Sequence, residues 1–284
     1  MAFNKLKRVK RRLFNLLNRQ GAVRTAGSAE IRFTGDYASW DDARRECCGY
    51  DAVHIADRVL QTTLGVLEGR FAWERDSVGF ANPEYNWPLL SCLLHIAASN
   101  GGRLRVVDFG GALGSTFLQH RVFFRGLTSV DWQVVEQDSF VARGRSVVAG
   151  HPDMAGLSFY GSVDDALQAG EPDVLLLGSV LQYLENPLVE LQRLLSSNFR
   201  FVLLDRTAIL RGDARCLLTV QHVPATIYEA RYPAWFLGCD LLMQVFSKEY
   251  MCMVEWCCSD SYDATRGRAA FIGCCFRRIA EGAL

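Results

Sequence analysis

From residue 101 onward the chain alternates short apolar runs with helical segments, and this alternation constrains the fold more than any other feature. Strands are expected at residues 103–108, 132–136, 157–160, 173–177 and 199–204. Helices are expected near residues 116–125, 140–148, 164–168 and 187–195. Strands joined through helices run parallel, because each crossover returns the chain to the same end of the sheet, and such crossovers are right-handed. Two further strand-like runs, 250–258 and 269–276, flank the polar stretch SDSYDATRGR and read as an antiparallel hairpin. The expectation is an α/β chain with a seven-stranded, mostly parallel sheet and a C-terminal antiparallel hairpin.

The segment before the sheet reads as helical. Residues 50–67 place Val53, Ile55, Val59, Leu60, Leu64 and Leu67 on one helical face. FAWERDSVGFANPEYNW interrupts the pattern with Gly79 and Pro83, and a second helix over 88–99 starts with a proline and ends at Gly101-Gly102. The expected organisation is an arm over 1–30, an N-terminal helical cap over 31–100 and a core over 101–284. An insertion at about 206–249 would line a ligand site.

Charge separates the arm from the body. The 284 residues carry 31 basic and 31 acidic side chains, yet residues 1–24 hold eight basic residues and no acidic one. The remainder is left with 23 basic against 31 acidic, an acidic balance that argues against broad nucleic-acid binding. In the arm, Phe3, Leu6, Val9, Leu13 and Leu17 recur at spacings of three and four. That pattern suits a basic amphipathic helix in peripheral contact with an anionic membrane through residues 1–20. It suits equally a disordered or partner-docking arm, or a weak targeting peptide. No run approaches the 18 apolar residues of a spanning helix. The ten cysteines include three adjacent pairs and no Cys-x-x-Cys spacing, so neither a zinc ribbon nor any other metal site is expected. With no export signal, the expected location is the cytoplasm.

The most informative segment is Val106-Val107-Asp108-Phe109-Gly110-Gly111-Ala112-Leu113-Gly114-Ser115. A strand ends in an acid and a small-residue turn opens a helix, as a loop must where a ligand approaches backbone closely. The next strand ends at Glu136, 22 residues beyond Gly114, where a carboxylate can accept hydrogen bonds from ribose hydroxyls. The plain alternative is a tight turn that binds nothing. Against a dinucleotide, Gly-x-Gly-x-x-Gly is missing and Asp108 would repel a pyrophosphate. A Tyr-x-x-x-Lys pair, a Gly-Lys phosphate loop and a His-Glu-x-x-His zinc helix are also missing from the sequence.

Residues 103–187 resemble the class I S-adenosylmethionine-dependent methyltransferases, a Rossmann-like family. VVDFGGALGS is similar to their Asp/Glu-x-Gly-x-Gly-x-Gly motif, with Asp108, Gly110 and Gly114 matching and Ala112 replacing the middle glycine. The resemblance implies S-adenosylmethionine as cofactor, held by Asp108, Gly110, Gly111, Gly114 and Ser115, with Glu136 on the ribose and Gln137 beside it. Ser162 would stand at the adenine turn where the family often has an acid. PDVLLLGSVLQYLENP is similar to the fourth strand and following loop, so Ser179 and Gln182 would flank the methionine end and Tyr183 the acceptor. From Trp40 onward, SWDDARRECCGYD, ERDSVGF, WQVVEQ, LLDRTAI and ARYPAWF resemble bacterial methyltransferases associated with surface-polysaccharide biosynthesis.

Methyl transfer to a hydroxyl needs positioning and a base. His222 is the first candidate base, with Asp205 second; the bland alternative for His222 is a hydrogen-bonded loop histidine. His120 reads as a helix-surface residue, and His54 and His95 as structural. Asp205-Arg206 reads as an ion pair at a strand end, or Arg206 grips an anionic group of the acceptor. Arg75 poses the same choice. Tyr232 and Trp235 are candidates to line the acceptor, and Trp73, Trp87 and Trp235 either stack on a sugar or pack the cap. The expected activity is methylation of an oxygen, less readily a nitrogen, on a small molecule such as a sugar nucleotide or lipid-linked saccharide. The rivals are a non-catalytic scaffold on the same fold and an NAD(P)-dependent oxidoreductase.

Overall fold

The computed structural model describes residues 31–47, 52–212, 214–225, 227, 229–258 and 269–279. The basic arm, Cys48, the expected helix start at Tyr50, the side chain of His54 and the polar stretch 259–268 lie outside the described residues.

Residues 31–100 form β1 (Arg32–Thr34), α1 (Trp40–Arg45), α2 (Ala52–Leu67), a hairpin of β2 (Trp73–Arg75) and β3 (Val78–Phe80), and α3 (Trp87–Ser99). The hairpin turns on Asp76 and Ser77, both left-handed at φ +51° and +65°, the geometry of a tight two-residue turn. Asn86 starts α3 by accepting the amide of Leu89 at 3.2 Å, which satisfies one of the donors a helix N-terminus leaves open. Pro88 is tolerated there because the first turn needs no amide from it.

The expected alternation follows as β4 (Arg103–Phe109), α4 (Ser115–Phe124), β5 (Ser129–Val135), α5 (Asp138–Gly150) and β6 (Leu157–Tyr160). It continues as α6 (Val163–Gln168), β7 (Val174–Gly178), α7 (Pro187–Leu195) and β8 (Phe201–Leu210). The chain closes with β9 (Leu217–Val223), β10 (Ala230–Gly238), α8 (Cys239–Phe246), β11 (Tyr250–Cys257) and β12 (Ala269–Arg278).

Seven strands make the expected Rossmann-like sheet in the order β6-β5-β4-β7-β8-β12-β11. All neighbours run parallel except β12, which is antiparallel to both β8 and β11. Its central strands are buried on both faces, as helix-covered parallel strands must be. Val106, Leu176 and Leu203 face one core with Leu90, Leu93 and Ile96 of α3. Val107, Leu175, Leu177 and Leu204 face the other with Leu191 and Leu194 of α7. Each such aliphatic side chain contributes about 1.5–3 kcal/mol on burial.

Three more strands extend this sheet, and none was expected. The strand expected to end at residue 204 continues to Leu210. Its first half pairs with β7 from Phe201 to Asp205, while Ile209 and Leu210 pair with Leu237 and Gly238 of β10. Beyond β10 lie β9 and then β1, both antiparallel, so the insertion is a sheet to which residue 32 of the expected helical cap contributes. Pro233 inside β10 and the Gln221-His222 pair inside β9 disguise these strands in the sequence. Pro233 is tolerated because β10 there has a partner on the β9 side, and its pairing with β8 begins only at Leu237.

Candidate functional site

The strand order reverses between β4 and β7, and the crevice beyond their carboxyl ends is where an open α/β sheet binds ligands. Gly110 and Gly114 shape its floor at φ +76° and +84°, where a side chain is strained. A Cβ on Gly110 would also stand 2.5 Å from Cγ2 of Val180 on the β7 side. Gly111 backs onto the Asp108 carboxyl, 2.5 Å from where its Cβ would be. Ala112, which takes the place of the motif's middle glycine, adopts φ +51° as a glycine would, at a cost of about 1–2 kcal/mol.

Three carboxylates surround this loop, two of them buried and Glu136 half-buried. Asp108, 2% exposed, accepts the indole N–H of Trp132 on Oδ2 at 2.9 Å. Burial pushes its carboxyl up to about 7, against that hydrogen bond. Glu136 accepts the Ala112 amide at 3.2 Å and the Gln137 amide at 2.9 Å, so it braces the loop from β5, and burial raises its pKa. The third carboxylate, Glu74 on β2, was not anticipated. It is 3% exposed, accepts the Ser115 hydroxyl on Oε1, and leaves Oε2 buried without a hydrogen-bond partner. Burial, opposed first by the Ser115 bond, pushes it up to about 7. The sequence signal was an acid inside the aromatic stretch FAWERDSVGF, but the neighbouring Arg75 and Asp76 drew the reading.

Arg206 is the cation whose charge acts on both Asp108 and Glu74. It sits at φ +48°, with Nε 3.3 Å from Asp205 Oδ2 and Nη1 3.9 Å from Asp76 Oδ2. Asp205, 4% exposed, also accepts the Asn86 amide nitrogen at 2.8 Å. The Asn86 backbone donates to Nε2 of His120 at 3.1 Å, while Nδ1 of His120 donates to the Thr116 carbonyl at 2.9 Å. Both ring nitrogens are therefore engaged, and burial lowers the His120 pKa. His120 is fully buried, contrary to the helix-surface expectation, because Asn86 docks onto that face of α4.

Across the crevice, Ser179 is left-handed at φ +56° and its Oγ accepts the Gln182 side chain at 2.8 Å. The same Gln182 amide donates to the Arg206 carbonyl at 3.1 Å. Tyr183 donates to Gln221 Oε1 at 2.9 Å, and the Gln221 amide donates to the Tyr232 hydroxyl at 3.2 Å. The two tyrosine rings meet edge-on, 5.3 Å apart.

Strand alternation separates other candidates from this group. His222 follows Gln221 and so projects to the opposite face of β9, where its Nε2 lies 2.7 Å from the Thr34 hydroxyl. It stands between Arg32 and Arg231 in register, and burial together with those two charges lowers its pKa. Trp235 likewise faces away from Tyr232 and stacks on Trp40 at 6.4 Å. Trp73 is buried against Phe80, and the Arg75 guanidinium lies 5.7 Å from the Trp73 ring. Ser162 caps α6, accepting the Asp165 amide at 3.1 Å.

No family model matches the chain, and no curated protein is significantly similar to it in sequence. Several solved structures are similar to it at low sequence identity. The N-terminal domain of EvdMO1, crystallised with SAH and D-fucose, is 15% identical with a TM-score of 0.46, over 82% of this chain and 100% of that one. The methyltransferase CcbJ from Streptomyces caelestis is 11% identical with a TM-score of 0.44, over 81% and 100%. The [4+2]-cyclase SpnF is 11% identical with a TM-score of 0.47, over 87% and 98%.

Proposed function

We propose that the protein is a methyltransferase that moves a methyl group from S-adenosylmethionine to an oxygen of a small molecule. A sugar nucleotide or lipid-linked saccharide is the acceptor class that suits the sequence resemblance. One observation carries the cofactor reading: two buried carboxylates, Asp108 and Glu74, and the half-buried Glu136 close on a glycine loop. That charge suits a cationic nucleoside and disfavours a pyrophosphate. Packing requires the small residues of the loop as well, because side chains at Gly110 and Gly114 would press on Val180 and Leu157.

In this reading Asp108, Gly110, Gly111, Gly114 and Ser115 hold the cofactor's centre. Glu136 takes the ribose, with Gln137 and Ser162 towards the base and Ser179 and Gln182 towards the methionine end. S-adenosylmethionine supplies an electrophilic methyl, and the chain's task is to align an acceptor oxygen with it. The Tyr183–Gln221–Tyr232 chain borders the acceptor side with groups that orient hydroxyls. Arg206, with Arg75 nearer the rim, meets an anionic part of the acceptor. Asp205 anchors Asn86 and Arg206, which makes it a positioning residue. His222 and Trp235, on the other faces of their strands, support the extension. The N-terminal arm's basic pattern suits peripheral contact with an anionic membrane, and a cytoplasmic location suits the cofactor.

The test is transfer of labelled methyl from S-adenosylmethionine to pools of sugar nucleotides and lipid-linked saccharides. Label in the acceptor supports the proposal. Binding without transfer to any pool favours a non-catalytic scaffold, a reading to which the orientation of His222 lends weight. Oxidation of NADH with no use of S-adenosylmethionine would replace it with an oxidoreductase.

A further inference from the structure

Glu74 has features that a merely structural acid lacks. It reaches the glycine loop from a different part of the fold, the hairpin of β2 and β3, and touches Ser115, the first residue of α4. Its Oε1 is engaged and the Ser77 backbone amide also acts on the carboxyl, but Oε2 is buried with no hydrogen-bond partner of good geometry. A buried polar oxygen left unpaired costs about 1–3 kcal/mol, which a bound donor would recover. The hairpin that presents it is also built under strain. Its two turn residues, Asp76 and Ser77, are both non-glycine at positive φ. The Thr62 hydroxyl of α2, shared between the Arg58 carbonyl at 2.9 Å and the Ser77 carbonyl at 3.2 Å, ties the turn to the helix. The position of Glu74 is thus held by the cap and aimed at the loop.

The chemistry around Glu74 selects its partner. Asp76, in the turn of the same hairpin, adds negative charge, and among the described residues Arg206 offsets it while shared with Asp205 and Asp76. A hydroxyl or a second anion would gain little there, whereas a cationic N–H donor would satisfy Oε2 and relieve the like charges. Of the acceptor-side groups, Gln221 and Tyr232 belong to the sheet extension and Tyr183 to the turn after β7 that bonds to it, whereas Ser115 opens α4 on the glycine loop, so a ligand at Ser115 is on the cofactor side.

We infer that Glu74 is a cofactor-binding residue whose free Oε2 receives the α-ammonium group of the bound S-adenosyl ligand. The inference rests on the cofactor reading above and adds a carboxylate donated by the cap to the loop motif. It makes the β2–β3 hairpin part of the cofactor site, so that binding would lock the cap onto the sheet.

The experiment is calorimetric titration of the full chain and of Glu74→Gln with S-adenosylmethionine, S-adenosylhomocysteine and 5′-methylthioadenosine. The last keeps the nucleoside and lacks the amino-acid end. Loss of one charge-assisted hydrogen bond should weaken the first two ligands by about ten- to a hundredfold. 5′-Methylthioadenosine should bind both proteins within about twofold, a margin set by the absence of any charge-assisted bond to lose. Gln is nearly isosteric and removes a buried charge, so Glu74→Gln should melt no lower than the parent. Ser115→Ala, which frees Oε1 as well, provides a second variant and should weaken S-adenosylhomocysteine less than Glu74→Gln does.

Equal weakening of all three ligands would make Glu74 a structural support and overturn the inference. So would weakening of S-adenosylmethionine alone, which would assign Glu74 to the sulfonium, or normal binding with lost methyl transfer, which would make it a base. If the parent protein binds none of the three, the cofactor reading itself fails, and that outcome is separate from failure at Glu74.

Discussion

The two sides of the crevice are built differently. On the glycine-loop side, Asp108, the loop and Glu136 belong to one strand–helix–strand unit, and the bonds that tie them span 24 residues or fewer, Glu74 being brought in from β2 across 41. On the side of the sheet extension, Tyr183 meets Gln221 across 38 residues of sequence, Asn86 meets Asp205 across 119, and Thr34 meets His222 across 188. The first side is therefore mostly a local structure. The second is assembled only when distant strands pair, so its residues acquire a common face only in the folded sheet. The glycine-loop side also gathers carboxylates, while the Tyr183–Gln221–Tyr232 chain is built of neutral hydrogen bonds.

Changes that act on one side and spare the other would sharpen this contrast, and the largest effect should come from pH. In the native state Asp108 and Glu74 hold protons up to about pH 7, whereas unfolded carboxyls release them near pH 4. Between those values the folded chain binds more protons than the unfolded one. Its stability should therefore fall by a few kcal/mol from pH 4 to pH 7 and level off above. Denaturant unfolding at several pH values checks this, and a saturating cationic nucleoside should flatten the slope. A flat profile without ligand would show that the acids are solvated.

Asp108→Asn keeps an acceptor for the Trp132 indole but removes the charge. It should weaken S-adenosylmethionine by about 10- to 100-fold with little change in melting temperature. Asn86→Ala removes a helix cap and the bond to Asp205, and should destabilise the fold by about 1–3 kcal/mol, read by denaturant midpoint. Tyr232→Phe should raise the acceptor KM several-fold, on the scale of one neutral hydrogen bond, and leave cofactor affinity unchanged. The smallest effect is expected from His222→Ala, with turnover kept within about twofold because the ring faces away from the crevice. A large loss of turnover there would restore His222 as the base and break the division of the two sides.

What was legible in the sequence follows the same line. The five alternating strands, their helices and the terminal hairpin were readable because period and turn residues are local signals. The grouping of Asp108, Gly110, Gly114 and Glu136 around one loop was readable because their spacing is set by a single crossover. The strands β9 and β10 were hidden by Pro233 and Gln221-His222, whose tolerance depends on which edges have partners. A three-residue strand such as β1 has too few positions to show a period. Strand alternation puts Gln221 and His222 on opposite faces, and that could be applied only after the segment was known to be a strand. His120 was taken for a surface residue since nothing local announces that Asn86 will cover it. Glu74 escaped for a related reason: burial of an acid depends on what the hairpin packs against.

The central claim, an acid-lined nucleoside site on the glycine loop, is most directly tested by calorimetric titration of the full chain and of Asp108→Asn. The ligands are S-adenosylmethionine and S-adenosylhomocysteine, with NADH as control. The account predicts that the parent binds both adenosyl ligands and not NADH, and that Asp108→Asn loses most of that affinity while remaining folded. NADH binding alone, or adenosyl binding indifferent to Asp108→Asn, would contradict it.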